Sequence, residues 1–279
     1  MLNEKISTLS KNIVTPIGHA ILNSIKNQIQ EGANEFIIGL DLDDTITKSS
    51  PEYGGRAIVM EYKKIAKEKY NTEFAIKPPI SSIEDVRVGM LESGLNELEI
   101  KDIEKIASKN YKNKNVIPEL TTNFPLTIRD MKHIKREFGD KISYNIITNR
   151  EKHIGKNDIE NVKKIHNIDF DRIIYAKGLN RKPSADIFFD NFDSRVLYKM
   201  QKGTTGFTMI GDTVNVDGGL VDELVKNGIN AQYICVENET NRNINKCDNT
   251  EMQNIKLHKP KQHKRINGNQ TKSTTCTLI

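Results

Sequence analysis

Phe36-Ile37-Ile38-Gly39-Leu40-Asp41-Leu42-Asp43-Asp44-Thr45 is the stretch on which the reading of this chain turns. Its apolar first half is short, rich in β-branched residues and followed at once by acids, the pattern of a buried strand. Asp41 and Asp43 are two residues apart, so a continuing strand would put them on one face. Clustered carboxylates repel one another unless a cation offsets them. A hard oxygen donor set of this kind suits Mg²⁺.

Downstream, residues 142–148 (ISYNIIT), 171–176 (DRIIYA), 207–211 (FTMIG) and 231–236 (AQYICV) give four more strand signals. Helical periodicity separates them at 128–138, 159–168, 185–200 and 220–226, and Gly228 is a helix stop before the last strand. Strands alternating with helices predict an α/β fold with a Rossmann-like parallel sheet. Upstream, Ile17, Ile21, Ile25 and Ile29 recur at i+4 behind Pro16, which predicts a helix over 17–30 packed on the core. Residues 46–118 carry helical signals only, among them Ile58, Tyr62 and Ile65, then Ile100, Ile103 and Ile106, with a capping-box-like pair at Ser82 and Asp85.

The strand ends carry the chemistry. Asp41 and Asp43 end the first strand, Thr148 and Asn149 the second, and Asp212 the fourth, with Asp217 five residues on; Lys182 follows the third. In an open parallel sheet these ends converge on one crevice. A carboxylate there can attack a phosphoryl group, a second can protonate the leaving oxygen and then activate water, and a cation with Mg²⁺ can balance the charge. Lys177 competes with Lys182 for the lysine role.

With these motifs in this order, the chain resembles the haloacid dehalogenase-like (HAD) phosphatases over about residues 36–236. The resemblance implies a phosphate monoester hydrolase with Asp41 as nucleophile and metal ligand. Asp43 would be the general acid/base, its carbonyl a further Mg²⁺ ligand. Thr148, Asn149 and Lys182 would bind the phosphoryl group, Lys182 being favoured because Lys-Pro before a helical run is the family's usual pattern. Asp212 would be a metal ligand and Asp217 would support the metal site. It further implies a core at 36–47 and 119–237 and a helical cap at 48–118 inserted after the first motif; outside the resemblance, residues 1–35 are expected to be an N-terminal helical segment. The substrate would be a phosphorylated small molecule, or a phosphorylated lipid or protein. A phosphotransferase of the same family, or an inactive fold used as a membrane-docked interaction module, are the rival readings.

Composition bounds the rest. The 279 residues carry 42 Lys and Arg against 37 Asp and Glu, with a mean hydropathy of −0.57. Six of those basic residues, Lys256, Lys259, Lys261, Lys264, Arg265 and Lys272, lie in 252–279 without a single acid, which leaves the body at 36 against 37. The body is therefore no nucleic-acid platform, and no nucleic-acid partner is expected. No apolar run reaches the ~18 residues of a membrane span. Met1 to Glu4 lack a secretory layout, and Leu2 excludes N-myristoylation. The three cysteines argue against a disulfide framework and for a reducing compartment.

From 238 on periodicity vanishes, which predicts a disordered polybasic tail. It ends Cys276-Thr277-Leu278-Ile279, the C-a-a-X prenylation pattern. A prenyl group on Cys276 plus a basic patch is the two-signal requirement for attachment to an anionic membrane surface. The expected location is the cytoplasmic face of a eukaryotic membrane, reached from within or by a bacterial protein delivered to a host cell, and the cytoplasm if no lipid is added.

Overall fold

A computed structural model describes all residues except 1, 51, 77–82, 115, 123, 179, 237–254 and 259–279, with the side chains of 2–5, 83–84 and 255–258 also left aside. Two helices open the chain, α1 (Leu2–Ser10) and α2 (Pro16–Gln30), before β1 (Glu35–Leu40). Next come the helices of the insert, α3 (Gly55–Tyr70), α4 (Ile83–Glu92) and α5 (Glu97–Asn113). The alternation then begins: α6 (Phe124–Phe138), β2 (Ile142–Glu151), α7 (Lys152–His166) and β3 (Arg172–Ala176). The second half runs α8 (Asp186–Phe189), α9 (Ser194–Gln201), β4 (Thr205–Gly211), α10 (Gly219–Lys226) and β5 (Ala231–Val236). A last strand, β6 (Ile255–His258), falls inside the segment expected to be a tail without regular structure.

The sheet order is β3-β2-β1-β4-β5-β6. The first five strands are parallel, and β6 pairs antiparallel on β5. The chain winds outward from β1 through β2 to β3, then crosses back to β4 on the other side of β1. The carboxyl ends of β1 and β4 therefore flank the point where winding reverses, where an open α/β sheet forms its crevice.

Alternate residues of each strand feed two cores. Ile38, Leu40, Ile146 and Ile210 pack under α1, α2, α6 and α7, while Ile37, Ile147, Phe207, Met209 and Tyr233 pack under α8, α9 and α10. α2 forms as its i+4 isoleucines demand: Thr15 caps it, accepting from Gly18 N–H at 3.0 Å, and Pro16 opens it. The buried Asp130 of α6 ties this corner down by accepting from both the N–H and the hydroxyl of Thr15.

The insert has an apolar cluster of its own, built on Ile58, Tyr62, Met90, Ile100, Ile103 and Tyr111, which Ile154 of α7 joins from the core side. A capping box at Asn96 and Glu99 starts α5. Among the described residues of 48–118 there is no strand. Ser82, expected to cap α4, lies outside the described residues. The two chain passages between insert and sheet are joined side by side: Lys48 N–H donates to Glu119 O (2.8 Å), Thr121 N–H to Ile46 O (3.0 Å) and the Thr121 hydroxyl to Thr45 O (2.8 Å).

Three expectations need correction. The single helix over 185–200 is two, because Asp193 accepts from Val196 N–H at 3.0 Å and starts α9 afresh. The second strand does not stop at Thr148 but continues to Glu151, with a register shift against β3 between those two residues. Cys235, buried in β5, is disulfide-bonded, against the expectation of no disulfide framework. The chain's other cysteines, Cys247 and Cys276, are outside the described residues. Among the described residues, no helix is long and apolar enough to cross a membrane.

Candidate active site

β1 and β4 run in register, Leu40 beside Ile210, and Asp41 N–H extends the pairing by donating to Ile210 O at 2.8 Å. Asp41 thus leaves β1 next to the end of β4, where Asp212 leaves it. After Thr213 the chain makes a wide π turn, Val214–Gly218, that points Asp217 back at the strand ends; such turns widen the helix ladder and recur at functional sites. Asp217 Oδ2 accepts from Thr213 N–H at 3.1 Å, which fixes its orientation. Asp41, Asp212 and Asp217 can each offer a carboxylate oxygen within 4.8 Å of the others.

Gly211 makes that approach feasible. A Cβ at this position would lie 2.2 Å from Asp217 Oδ2. No side chain fits between the strand end and that carboxylate.

Lys182 answers the cluster. Its ammonium donates to Asp41 Oδ1 and to Asp217 Oδ1, each at 2.5 Å, and the side chain is only 2% exposed. Asn149 holds the lysine's backbone from both sides: Lys182 N–H donates to Asn149 Oδ1 (2.8 Å) and Asn149 Nδ2 donates to Lys182 O (3.1 Å). Fully ionised, three carboxylates against one ammonium would leave two negative charges in excess. Burial, followed by the neighbouring Asp217, pushes the Asp41 carboxyl up to about 7 in spite of Lys182. Burial, followed by Asp41 and Asp217, pushes Asp212 up to about 8. Burial alone would drive Lys182 toward neutrality, but Asp217 and Asp41 overcome it and hold the ammonium well above its usual range. Hard oxygen donors with an excess charge of two fit a divalent cation such as Mg²⁺.

Asp43 lies apart from that cluster. Arg150 grips it, Nε donating to Oδ2 at 2.7 Å and Nη2 reaching Oδ1. Ser49 Oγ adds a contact at 3.3 Å. Burial would raise the Asp43 carboxyl, yet the guanidinium outweighs it and holds the group below the usual carboxylate range. Sequence reasoning missed Arg150. The only available signal was its place directly after Thr148 and Asn149, where the strand was expected to have ended.

Thr148 is buried two residues past the last β1–β2 pair, its hydroxyl accepting from Arg150 N–H at 3.2 Å. Lys177 is exposed on the turn after β3, with a backbone bridge to Asn180. The geometry thus brings Lys182, and not Lys177, to the carboxylates. Cys276 lies outside the described residues.

No family model matches this chain, and no curated protein matches it. Solved structures give distant likenesses. One is a protein assigned as a phosphoglycolate phosphatase from Lactobacillus plantarum, at 14% identity and TM-score 0.46, covering 71% of this chain and 84% of that one. A hydrolase from Pseudomonas syringae gives 14% identity and TM-score 0.43 over 71% and 82%. A HAD-superfamily hydrolase, subfamily IA, from Geobacter sulfurreducens gives 15% and 0.39 over 72% and 87%. Likenesses this remote carry no inference about chemistry.

Proposed function

We propose that the chain is a Mg²⁺-dependent phosphate monoester hydrolase that works through an aspartyl-phosphate on Asp41. The observation that carries this reading is the buried Lys182 ammonium bridging Asp41 and Asp217 beside Asp212, at the carboxyl ends of β1 and β4. A buried carboxylate nucleophile needs such a cation to stay ionised, and a transferring phosphoryl group needs the same positive field.

An Asp41 oxygen bonds to phosphorus as the bond to the leaving oxygen breaks. Asp43, ionised while Arg150 holds both its oxygens, must take up a proton as substrate binds; it gives that proton to the leaving oxygen, so the product departs as an alcohol. A water oxygen then bonds to phosphorus while Asp43 takes the water's proton. The bond to Asp41 breaks, inorganic phosphate leaves, and both aspartates are restored. Asp41, Asp212 and the Asp43 carbonyl would hold Mg²⁺, which would neutralise charge on the phosphoryl oxygens, with Asp217 as support. Lys182 and the Thr148 hydroxyl would contact those oxygens. Asn149 would serve mainly by fixing Lys182.

The helical insert favours substrates that fit under a lid: a phosphorylated small molecule, or the flexible phosphorylated part of a lipid or protein. The tail extends the proposal: prenylated Cys276 and the basic residues before it would tether the enzyme to an anionic membrane surface. The test is phosphate release from p-nitrophenyl phosphate and a panel of sugar phosphates, nucleotides, phosphoinositides and phosphopeptides, with Mg²⁺ and with EDTA. Wild-type protein inert toward the whole panel would favour the inactive, membrane-docked module instead.

A further inference from the structure

The Arg150 guanidinium is divided between two carboxylates. Its Nε and Nη2 hold Asp43, and its Nη1 reaches Asp158 Oδ2 of α7. Asp158 Oδ2 in turn accepts from the Tyr111 hydroxyl at 2.7 Å, and Tyr111 Oη accepts from Gly54 N–H at 3.1 Å. Tyr111 belongs to α5 and Gly54 precedes α3, both in the helical insert; Asp158 and Arg150 belong to the sheet and its helices. The guanidinium also lies 5.2 Å from the centre of the Tyr53 ring. Arg150 is 7% exposed, so these partners account for its burial. A continuous path of hydrogen bonds thus runs from Asp43 through Arg150 and Asp158 to the insert.

Two further features tighten the grip on Asp43. Gly54 has φ +88°, and a Cβ there would meet Asp43 Oδ1 at 2.9 Å, so the glycine lets the carboxylate lie against the backbone of the insert. A planar fork meeting both carboxylate oxygens fixes orientation as well as distance, which a lysine ammonium cannot do. Behind the path, Tyr53, Tyr111, Ile154 and Asp158 line a cavity of about 190 Å³ between insert and core.

We propose that Arg150 is a positioning residue that sets where Asp43 meets the leaving group, and that Tyr111 carries the placement of the insert to Asp43 through Asp158 and Arg150. This rests on Asp43 being the acid of the proposed hydrolysis, a role it takes when one of its oxygens, both held by Arg150 here, is freed and protonated to face the leaving group. Acid assistance matters most when the leaving oxygen is strongly basic, so an error in placing Asp43 must cost an alkyl phosphate more than p-nitrophenyl phosphate. A merely structural loss would lower both alike.

The experiment measures kcat/KM for a simple alkyl phosphate and for p-nitrophenyl phosphate in wild type, Asp43→Asn, Arg150→Lys, Arg150→Gln and Tyr111→Phe, with melting curves to confirm folding. Asp43→Asn sets the scale, with a loss of roughly 10²–10⁴ on the alkyl substrate. Arg150→Gln and Arg150→Lys should lower the alkyl-to-aryl ratio about tenfold or more, in the same direction as Asp43→Asn. If Arg150→Gln does not fold, Arg150→Lys and Tyr111→Phe carry the test. Tyr111→Phe should lower the ratio a few-fold, and combining it with Arg150→Lys should add less than the sum. An unchanged ratio in the Arg150 and Tyr111 variants, with Asp41-dependent wild-type turnover intact, overturns this proposal alone. Absence of wild-type turnover on either substrate overturns the hydrolase reading, and this proposal with it.

Discussion

Lys182 Nζ and Asp41 Oδ1 stand 2.5 Å apart across 141 residues of sequence, and both side chains are buried. The ammonium opposes the burial that would neutralise Asp41 and aims the carboxylate. Asp41→Asn keeps the shape and a hydrogen-bonding oxygen but cannot form an acyl phosphate. Turnover of p-nitrophenyl phosphate should fall by about a thousandfold or more, with a melting temperature no lower than wild type. Retention of wild-type turnover would remove Asp41 from the nucleophile role.

Lys182→Met removes the cation and leaves Asp41, Asp212 and Asp217 facing one another. Breaking a buried ion pair from one side costs about 3–5 kcal/mol. Urea denaturation should register a loss of that size without added metal, and a smaller one with Mg²⁺ present. A variant as stable as wild type in EDTA would show that the lysine does not balance this cluster.

Stability should depend on pH with a definite sign. Asp41 and Asp212 have folded values raised to about 7 and about 8 from an ordinary 3.8. The folded state therefore binds more protons than the unfolded state between those limits. Their contribution is full below about pH 3.8 and is lost as the pH rises through 7 and 8. Asp43 is shifted the other way, so its contribution changes only in acid. In EDTA the melting temperature should fall from pH 6 to pH 9. Mg²⁺, which binds the ionised carboxylates, should raise it most at the alkaline end. A melting temperature that rises from pH 6 to pH 9 in EDTA would contradict the assignment.

Gly211→Ala places a methyl group 2.2 Å from Asp217 Oδ2, far inside contact distance. The Asp217 side chain must shift off the strand end. Calorimetry should find Mg²⁺ binding weakened about tenfold or more, since displaced supporting groups typically have effects of that size. Unchanged Mg²⁺ affinity would mean that Asp217 contributes nothing to the metal site.

Cys276→Ser should release the protein from membranes in a eukaryotic cell and leave hydrolysis in solution unchanged. A lipid contributes about 0.8 kcal/mol per buried CH₂ and each basic residue near an anionic leaflet about 1 kcal/mol. The cysteine change should thus outweigh neutralising the lysines, and only the latter effect should be sensitive to salt. Disulfide mapping by mass spectrometry bears on the same point, because Cys235 is disulfide-bonded and lipidation needs the Cys276 thiol. Equal membrane fractions for wild type and Cys276→Ser, or a Cys235–Cys276 bond, would reject the tether.

Local signals made much of the fold legible. The strands at β1, β2, β4 and β5 are compact apolar runs, and α2 repeats isoleucine every turn. Asp41, Asp212 and Lys182 were readable because each follows directly from a strand end or its loop. Arg150 was not, since its partner Asp43 is 107 residues away and no periodicity marks the pair. The bulge that carries β2 on to Glu151 is likewise set by pairing with β3 rather than by composition. The break before α9 had a signal, Asp193 followed three residues later by Val196, and apolar periodicity on both sides masked it. α1 falls inside the N-terminal helical segment expected at 1–35, but its own bounds were not legible because nine residues with three apolar positions look like any polar start.

The hydrogen bonds that join residues 45–48 to 119–121 make the insert separable in principle. Its two roots are already neighbours in space, so replacing 49–118 by a short turn would leave β1, α6 and their packing where they are. The cost of closing that long loop would disappear with it, a modest gain that grows only with the logarithm of loop length. The lid would thus be an exchangeable module. A graft of another helical pair onto the same two roots should change what the site admits without rebuilding the sheet beneath it.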